Sequence, residues 1–227
     1  KNEDNILPLR PGTKVTVIGD FAQNPRYQGA GSSLVNPAKQ PEFILGEIGS
    51  SGLEMVAFEQ GYRRNKKSDE KLLNQAKEAA KKAAVVLIFA GLDEISESEG
   101  LDRTHMNMPQ AQNMLIDEIT TVNPNVIVVL SAGSAVEMPW YSYVSGIVHG
   151  YLGGQAGASA MLNVLTGKVC PSGKLNETYP MHCEDTPVQH YYPSKERSSE
   201  YREALYVGYR YYTTVDKKVR FPFGFGL

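Results

Sequence analysis

An uninterrupted apolar run, Val85–Ala90, constrains the fold of this chain more than any other stretch. Strands that are buried on both faces of a parallel sheet have continuous runs of this kind, whereas half-exposed strands alternate between apolar and polar residues. A second apolar run, Val126–Leu130, follows a helical pattern that begins at Pro109, and proline is favoured in the first turn of a helix. The order strand, helix, strand predicts two parallel strands joined by a crossover helix.

The same alternation continues on both sides of this unit. Further strands are expected at Lys14–Ile18, Met55–Phe58, Gly146–Leu152 and Leu205–Tyr212, with a short strand through Tyr179, and helices at Pro41–Ile48, from the capping residue Ser68 to Ala83, and at Ala156–Leu165. Strands that alternate with helices along one chain predict a mostly parallel sheet with helices on both faces. The predicted fold class is therefore α/β.

An acidic loop follows the first apolar run. It holds five carboxylates, Asp93, Glu94, Glu97, Glu99 and Asp102. Functional loops of open α/β sheets lie at the carboxyl ends of strands, so a carboxylate here, close to Gly100 and the pair Asp102–Arg103, is a candidate general acid or base. The alternative is a solvated surface loop, in which Asp102 and Arg103 form an ion pair of little energetic value. The residues alone leave both interpretations open.

Composition excludes several classes of function. Of the 227 residues 41% are hydrophobic and 21% are charged, which is typical of a globular protein, and the net charge of -2 argues against nucleic-acid or polybasic membrane partners. No apolar run approaches the roughly 20 residues that span a bilayer. Cys170 and Cys183 lack metal-ligand spacing, so we expect reduced thiols, no metal and no cofactor. No signal peptide is recognised, which slightly favours the cytoplasm but leaves the compartment open.

Two catalytic or binding signatures are incomplete. Gly29 and Gly31 come well after the first strand, and Leu34 stands where a dinucleotide fingerprint would need its third glycine. Nucleotide binding is therefore the weaker alternative. Ser134 lacks the second glycine of a nucleophile elbow, and His149 has no serine–histidine–acid order around it, so we interpret them as a turn residue and an ordinary strand histidine.

Several motifs resemble one enzyme family. Ser98–Arg103, which reads Ser-Glu-Gly-Leu-Asp-Arg, resembles the Glu-Gly-Tyr-Asp-Arg motif of glycoside hydrolase family 3, the β-glucosidase-type enzymes. The other matching segments, in the family's order, are Lys1–Leu9, Gln28–Ser32, Ala132–Trp140, Ser172–Leu175, Tyr206–Tyr212 and Phe221–Leu227. The resemblance thus extends over almost the whole chain.

The resemblance implies an architecture. Residues 1–227 would form a single α/β sandwich with a six-stranded sheet, in which 1–13 are a linker segment and 180–200 a long surface loop. In the family this sandwich is the second domain of a two-domain catalytic unit, and the nucleophilic aspartate lies on a separate β/α barrel. No barrel is expected within this sequence, which we interpret as a domain taken from a longer enzyme.

The resemblance also implies a site. Glu99 falls on the general acid/base of a retaining β-glycosidase, with Glu97 as its rival, while Asp102 and Arg103 would fix the loop or contact substrate, and Ser32 would lie at the rim. The expected partners are the barrel domain and an oligosaccharide or aryl glycoside, and the isolated chain is expected to be inactive. A non-catalytic carbohydrate-binding or interface module is the alternative. Sugar, linkage and anomer stay open.

Two departures from the family pattern lie near this site. Leu101 replaces the usual tyrosine, and Ala30 interrupts the glycine loop. Contacts to the sugar at these two positions are therefore not carried over from the family.

Overall fold

The computed structural model describes residues 1–64, 69–195 and 197–227. These residues fall into two compact units. The first unit comprises Lys1–Leu101, Met108–Gly133 and Pro139–Cys170, and the second comprises Asp102–Asn107, Ser134–Met138 and Pro171–Leu227. Ser68, the predicted helix cap, lies outside the described residues. The cap of that helix is Asp69, whose side chain accepts hydrogen bonds from the amides of Lys71 and Leu72.

A parallel sheet forms the centre of the first unit. Its strands are β1 Lys14–Ile18, β2 Glu54–Glu59, β3 Val85–Gly91, β4 Val126–Ser131 and β5 Gly146–His149. Their order is β2-β1-β3-β4-β5, and all four neighbouring pairs are parallel. The α/β prediction is confirmed.

The implied strand number is wrong, because the described part of this sheet has five strands and not six. The remaining extended segments, β6 Tyr179–Pro180 and β7 Val219–Phe221, pair with each other antiparallel in the second unit. Pro180 has no amide hydrogen to donate to a ladder, which suits it to a short edge pair and not to a central strand.

Helices cover both faces of the parallel sheet. They are α1 Ile44–Glu47, α2 Glu70–Ala80, α3 Gln110–Thr120 and α4 Gly157–Leu165. Every residue of β3 is buried, and successive side chains point to opposite faces. Val85, Leu87 and Phe89 join a core cluster with residues of α1 and α4. On the other face, the hydroxyl of Thr16 donates to the carbonyl of Ala79 in α2. The result is a three-layer sandwich.

The strand order decides where loops converge. From β1 the chain moves to β2 on one side, whereas β3, β4 and β5 extend on the other. In sheets of this order, ligand sites lie where the winding reverses, at the carboxyl ends of β1 and β3. The loop after β1 and the acidic loop after β3 therefore begin side by side.

The second unit contains a helix where a strand was predicted. The segment Leu205–Tyr212 alternates well enough for a strand, but Tyr209–Thr214 forms a short helix, α5. Gly208 precedes it with φ of 59° and ψ of -131°, a backbone conformation that ends extended structure and that a glycine adopts readily. Leu205 and Val207 are exposed, so their alternation does not reflect burial against a sheet.

Gly91, the last residue of β3, is required by close packing against β4. Its φ is +153°, and a Cβ atom there would lie 1.8 Å from the carbonyl oxygen of Ser131. The amide of Leu92, the first residue of the acidic loop, donates to that same carbonyl at 3.0 Å. The close approach at Gly91 thus sets the point from which the acidic loop departs.

We expect Gly91→Ala to destabilise the chain by at least about 1–3 kcal/mol, since the backbone must either hold a strained conformation or part from β4. Urea denaturation of the wild type and the variant measures the change. Gly49→Ala is the matched control, because no atom lies within 4 Å of a Cβ there. Equal stability of the two variants would contradict this account of β3 and β4.

Candidate functional site

Two loops at the carboxyl ends of β1 and β3 are linked at several points along their length. Nearest the sheet, Nη1 of Arg26 donates to the carbonyl oxygen of Leu92 at 3.0 Å. Further out, Ala30 and Ser98 form a parallel backbone bridge. Beyond the bridge, the amide of Ser32 donates to Oε2 of Glu99 at 2.6 Å. The structure thus brings together two of the predicted site residues, Ser32 and Glu99.

Glu99 is an exposed carboxylate near the outer end of the acidic loop. The hydroxyl and the amide of Ser32 both hydrogen-bond to it, and these bonds hold the pKa of Glu99 below its usual range. Gly31, with φ of +80°, lies so close that a Cβ atom there would stand 2.7 Å from Cβ of Glu99. The glycine before Ser32 therefore allows the two loops to approach, and the carboxylate stays ionised and open to solvent.

Glu97, the rival carboxylate, has different surroundings. Its side chain is 9% exposed and forms an ion pair with Arg26, whose side chain is 2% exposed. Oε2 of Glu97 also accepts a hydrogen bond from the amide of Gly133, just after β4, at 2.8 Å. The carboxylate therefore binds two donors inside the protein, and little of it reaches solvent.

The other carboxylates of the loop in this unit have local structural partners. Asp93 is buried, and its side chain accepts from the amide of Ser96 at 2.9 Å, closing a turn. Glu94 is exposed and pairs with Arg64 at 3.3 Å, while Arg64 also pairs with Asp20 at 2.6 Å. Asp93 thus closes a turn inside the protein, Glu94 pairs with an arginine at the surface, and Glu99 lies at the outer end of the loop.

Asp102 and Arg103 belong to the second unit. Asp102 accepts a hydrogen bond from the hydroxyl of Tyr192 at 2.6 Å. Arg103 donates to Oγ of Ser134 at 2.6 Å and to the carbonyl of Ala135 at 3.3 Å. Both side chains therefore hold loop segments of their own unit together. A role of either residue in contacting substrate stays a prediction.

His149, at the end of β5, resembles an ordinary strand histidine. Burial lowers its pKa, and its Nδ1 lies 3.2 Å from the carbonyl oxygen of Leu130. Its ring lies against that of Tyr151, with centroids 3.8 Å apart and the ring planes tilted by 36°. No group of three His, Cys, Asp or Glu side chains in the described part of the chain is placed to hold a metal ion. Among the same residues, no helix could cross a membrane.

Sequence reasoning missed one residue of this site, Arg26. A single arginine in a polar loop carries no signal of its own, because its carboxylate partner lies 71 positions away along the chain. Only the adjacency of β1 and β3 brings the two together.

The amino-acid sequence matches the family model of the glycosyl hydrolase family 3 C-terminal domain over residues 1–227. This chain belongs to glycosyl hydrolase family 3. The resemblance that Ser98–Arg103 and the other motifs suggested is thereby confirmed.

Relatives of this family 3 domain are considerably longer. Thermostable beta-glucosidase B of Acetivibrio thermocellus is 46% identical over 230 residues, which cover 100% of this chain and 30% of that protein. An exo-alpha-(1->6)-L-arabinopyranosidase of Bifidobacterium breve is 42% identical over 238 residues, which cover 100% of this chain and 31% of that protein. The domain therefore spans about 30% of the length of these relatives. Both relatives are named as glycoside hydrolases.

Solved structures agree with the fold. The crystal structure of a family 3 beta-glucosidase from Bifidobacterium adolescentis matches with a TM-score of 0.94 at 44% identity, covering 100% of this chain and 33% of that one. Beta-glucosidase 3B from Thermotoga neapolitana in complex with glucose matches with a TM-score of 0.84 at 26% identity, covering 100% of this chain and 36% of that one.

We expect Ser32→Ala to raise the pKa of Glu99 towards the ordinary value of a glutamate, because the hydroxyl that favours the ionised form is lost. A carbon-13 NMR titration of the Glu99 carboxyl measures the pKa in the isolated domain. Ser33→Ala is the matched control, since the Ser33 hydroxyl donates to the carbonyl of Ala30 instead. A pKa of Glu99 that is the same in both variants would contradict the assignment.

Proposed function

We propose that this domain supplies the general acid/base, Glu99, of a retaining β-glycosidase whose nucleophile lies on a β/α barrel elsewhere in the same enzyme. The observation that carries this proposal is the contrast within the acidic loop. Glu97 and Asp93 are engaged inside the protein, whereas Glu99 extends into solvent at the carboxyl edge of the sheet, held by Ser32. A general acid/base has to reach its substrate, and Glu99 is placed to do so.

The chemistry follows from the position of one carboxyl on each domain. In retaining glycoside hydrolysis two carboxyl groups stand about 5–5.5 Å apart across the scissile bond. Glu99 first donates its proton to the leaving-group oxygen while the barrel aspartate attacks the anomeric carbon. Glu99 then removes a proton from the water that hydrolyses the glycosyl-enzyme, which regenerates both carboxyl groups.

The isolated domain should be inactive for two reasons. It lacks the nucleophile, and the bonds from Ser32 lower the pKa of Glu99, so that little of the proton-donating form exists at neutral pH. A barrel that covers Glu99 would remove water from it and bring a second carboxylate near, and both effects raise the pKa of a carboxyl group. Docking of the barrel would thus convert a solvated carboxylate into an acid.

The substrate class is an oligosaccharide or aryl glycoside, and the sugar stays open. Relatives of similar identity are named as a beta-glucosidase and as an arabinopyranosidase. Similarity over this domain therefore does not distinguish between those sugars. We place the choice of sugar in the part of the enzyme beyond this domain.

A carbohydrate-binding module without catalytic function is the second candidate. Tyr192, Tyr201 and Tyr206 of the second unit are exposed, and aromatic rings that remain in water are suited to ligand contacts. Saturable binding of sugars by the isolated chain, with unchanged hydrolysis in the Glu99 variant of the full enzyme, would favour this candidate.

We expect Glu99→Ala in the full-length enzyme to reduce hydrolysis of aryl glycosides with poor leaving groups about 10²–10⁴-fold, because those substrates depend on proton donation. Activated leaving groups should be affected much less in the first step, and azide should restore turnover as a glycosyl azide. Steady-state kinetics over a series of leaving groups measures the effect.

Glu94→Ala is the matched control, because it removes another exposed carboxylate of the same loop. Near-normal rates of Glu99→Ala on poor leaving groups would overturn the proposal, as would hydrolysis by the purified isolated chain.

A further inference from the structure

Glu97 and Arg26 form a buried ion pair directly behind the Ser32–Glu99 contact. Their side chains are 9% and 2% exposed, whereas Ser32 and Glu99 are both exposed. Glu97 precedes Glu99 by two residues, and the residue between them, Ser98, makes the backbone bridge to Ala30. We call Arg26 and Glu97 the inner pair, and Ser32 and Glu99 the outer pair. The two pairs are thus joined through one short stretch of chain.

The inner pair ties together loops from three strands. Arg26 lies on the loop after β1, and its Nη1 donates both to the carbonyl of Leu92, at the start of the β3 loop, and to Oε2 of Glu97. That same oxygen accepts from the amide of Gly133 after β4. A single carboxylate oxygen is therefore shared by donors from the β1 and β4 loops.

The outer pair, Ser32 and Glu99, lies in exposed stretches of chain. Every residue from 31 to 40 is exposed, and so are Glu99, Gly100 and Leu101. A hydrogen bond between two exposed segments fixes them relative to each other but not relative to the sheet. Arg26 and Glu97 connect both segments to backbone groups at the carboxyl edge of the sheet, the carbonyl of Leu92 and the amide of Gly133.

We propose that Arg26 and Glu97 are positioning residues that hold the Glu99 carboxyl in its catalytic place. This inference rests on the proposed function of Glu99. It assigns to Glu97 a role other than acid/base, through its contacts to Arg26 and Gly133. A displacement of the catalytic group by about 1 Å can reduce the rate on the order of 100-fold. A buried contact two residues before Glu99 is well placed to prevent such a displacement.

Arginine is suited to this task. Its guanidinium presents several donors in a fixed plane, so one residue can bind a carbonyl and a carboxylate at set angles. Lysine carries a compact charge on a flexible stem and would hold one acceptor at a less defined angle. Arg26→Lys should therefore retain the charge balance but only part of the positioning.

The test uses the full-length enzyme with Glu97→Gln, which keeps the size of the side chain and one acceptor oxygen but removes its charge. We expect the rate on poor leaving groups, divided by the rate on activated ones, to fall about 10–100-fold in Glu97→Gln. For Arg26→Lys this ratio should lie between those of Glu97→Gln and wild type. The concentration of active sites, counted by covalent labelling of the nucleophile with a 2-deoxy-2-fluoro glycoside, should stay unchanged. Glu94→Gln is the matched control and should behave as wild type.

Two further readouts separate positioning from other roles. Because Glu99 remains in Glu97→Gln, azide should not restore activity. The profile of kcat/KM against pH should still fall at high pH, where the general acid loses its proton. If Glu97 were itself the acid/base, azide would rescue the variant and that fall at high pH would disappear. If the pair only stabilised the fold, rates on all substrates would fall together with the concentration of active sites. Either result would overturn the inference.

An NMR measurement on the isolated chain separates this inference from the proposed function. The Ser32 amide should shift as Glu99 titrates in wild type, and Glu97→Gln should reduce that shift by at least about half because the loops lose their register. Should Glu99→Ala retain normal hydrolysis while the reduced shift is observed, the proposed function fails but the anchorage stands. Should Glu99→Ala lose activity while Glu97→Gln changes neither the shift nor the rate ratio, the inference fails alone.

Discussion

The side-by-side position of β1 and β3 is the constraint on which the rest of the site depends. With β2 on one side and β4 and β5 on the other, the winding of the sheet reverses at this pair. Two loops that are distant in sequence leave the sheet together, and the buried ion pair Arg26–Glu97 connects them close to the sheet. The exposed pair Ser32–Glu99 then lies at the outer end of a structure that the core has already positioned.

Two glutamates separated by a single residue acquire different chemistry from their surroundings. Glu97 is enclosed by a guanidinium and a backbone amide, which makes it part of the scaffold. Glu99 meets the amide and hydroxyl of Ser32 and otherwise faces solvent, so its pKa is lowered in this chain but can respond to whatever covers it. The same residue type thus serves as an anchor in one place and as a candidate acid in the other.

The sequence predicts those features that arise from local patterns. Continuous apolar runs identify β3 and β4, because strands buried on both faces leave no position for polar residues. The strand predicted at Leu205–Tyr212 is wrong, since the helix Tyr209–Thr214 begins within it, and alternating aromatic residues do not reveal the turn that Gly208 makes. Glu99 and Ser32 could be named from motifs. Arg26 could not, because its importance comes from a partner that only the strand order brings near.

The most direct test of the central claim is the pKa of Glu99 in two settings, the isolated chain and the full-length enzyme, by carbon-13 NMR of the labelled carboxyl. We predict a pKa below the ordinary range in the isolated chain, where Ser32 favours the ionised form. We predict a pKa above the ordinary range in the enzyme, because the proposed barrel domain would exclude water and bring the nucleophile near. The same low pKa in both settings would contradict the claim that this chain carries half of an active site.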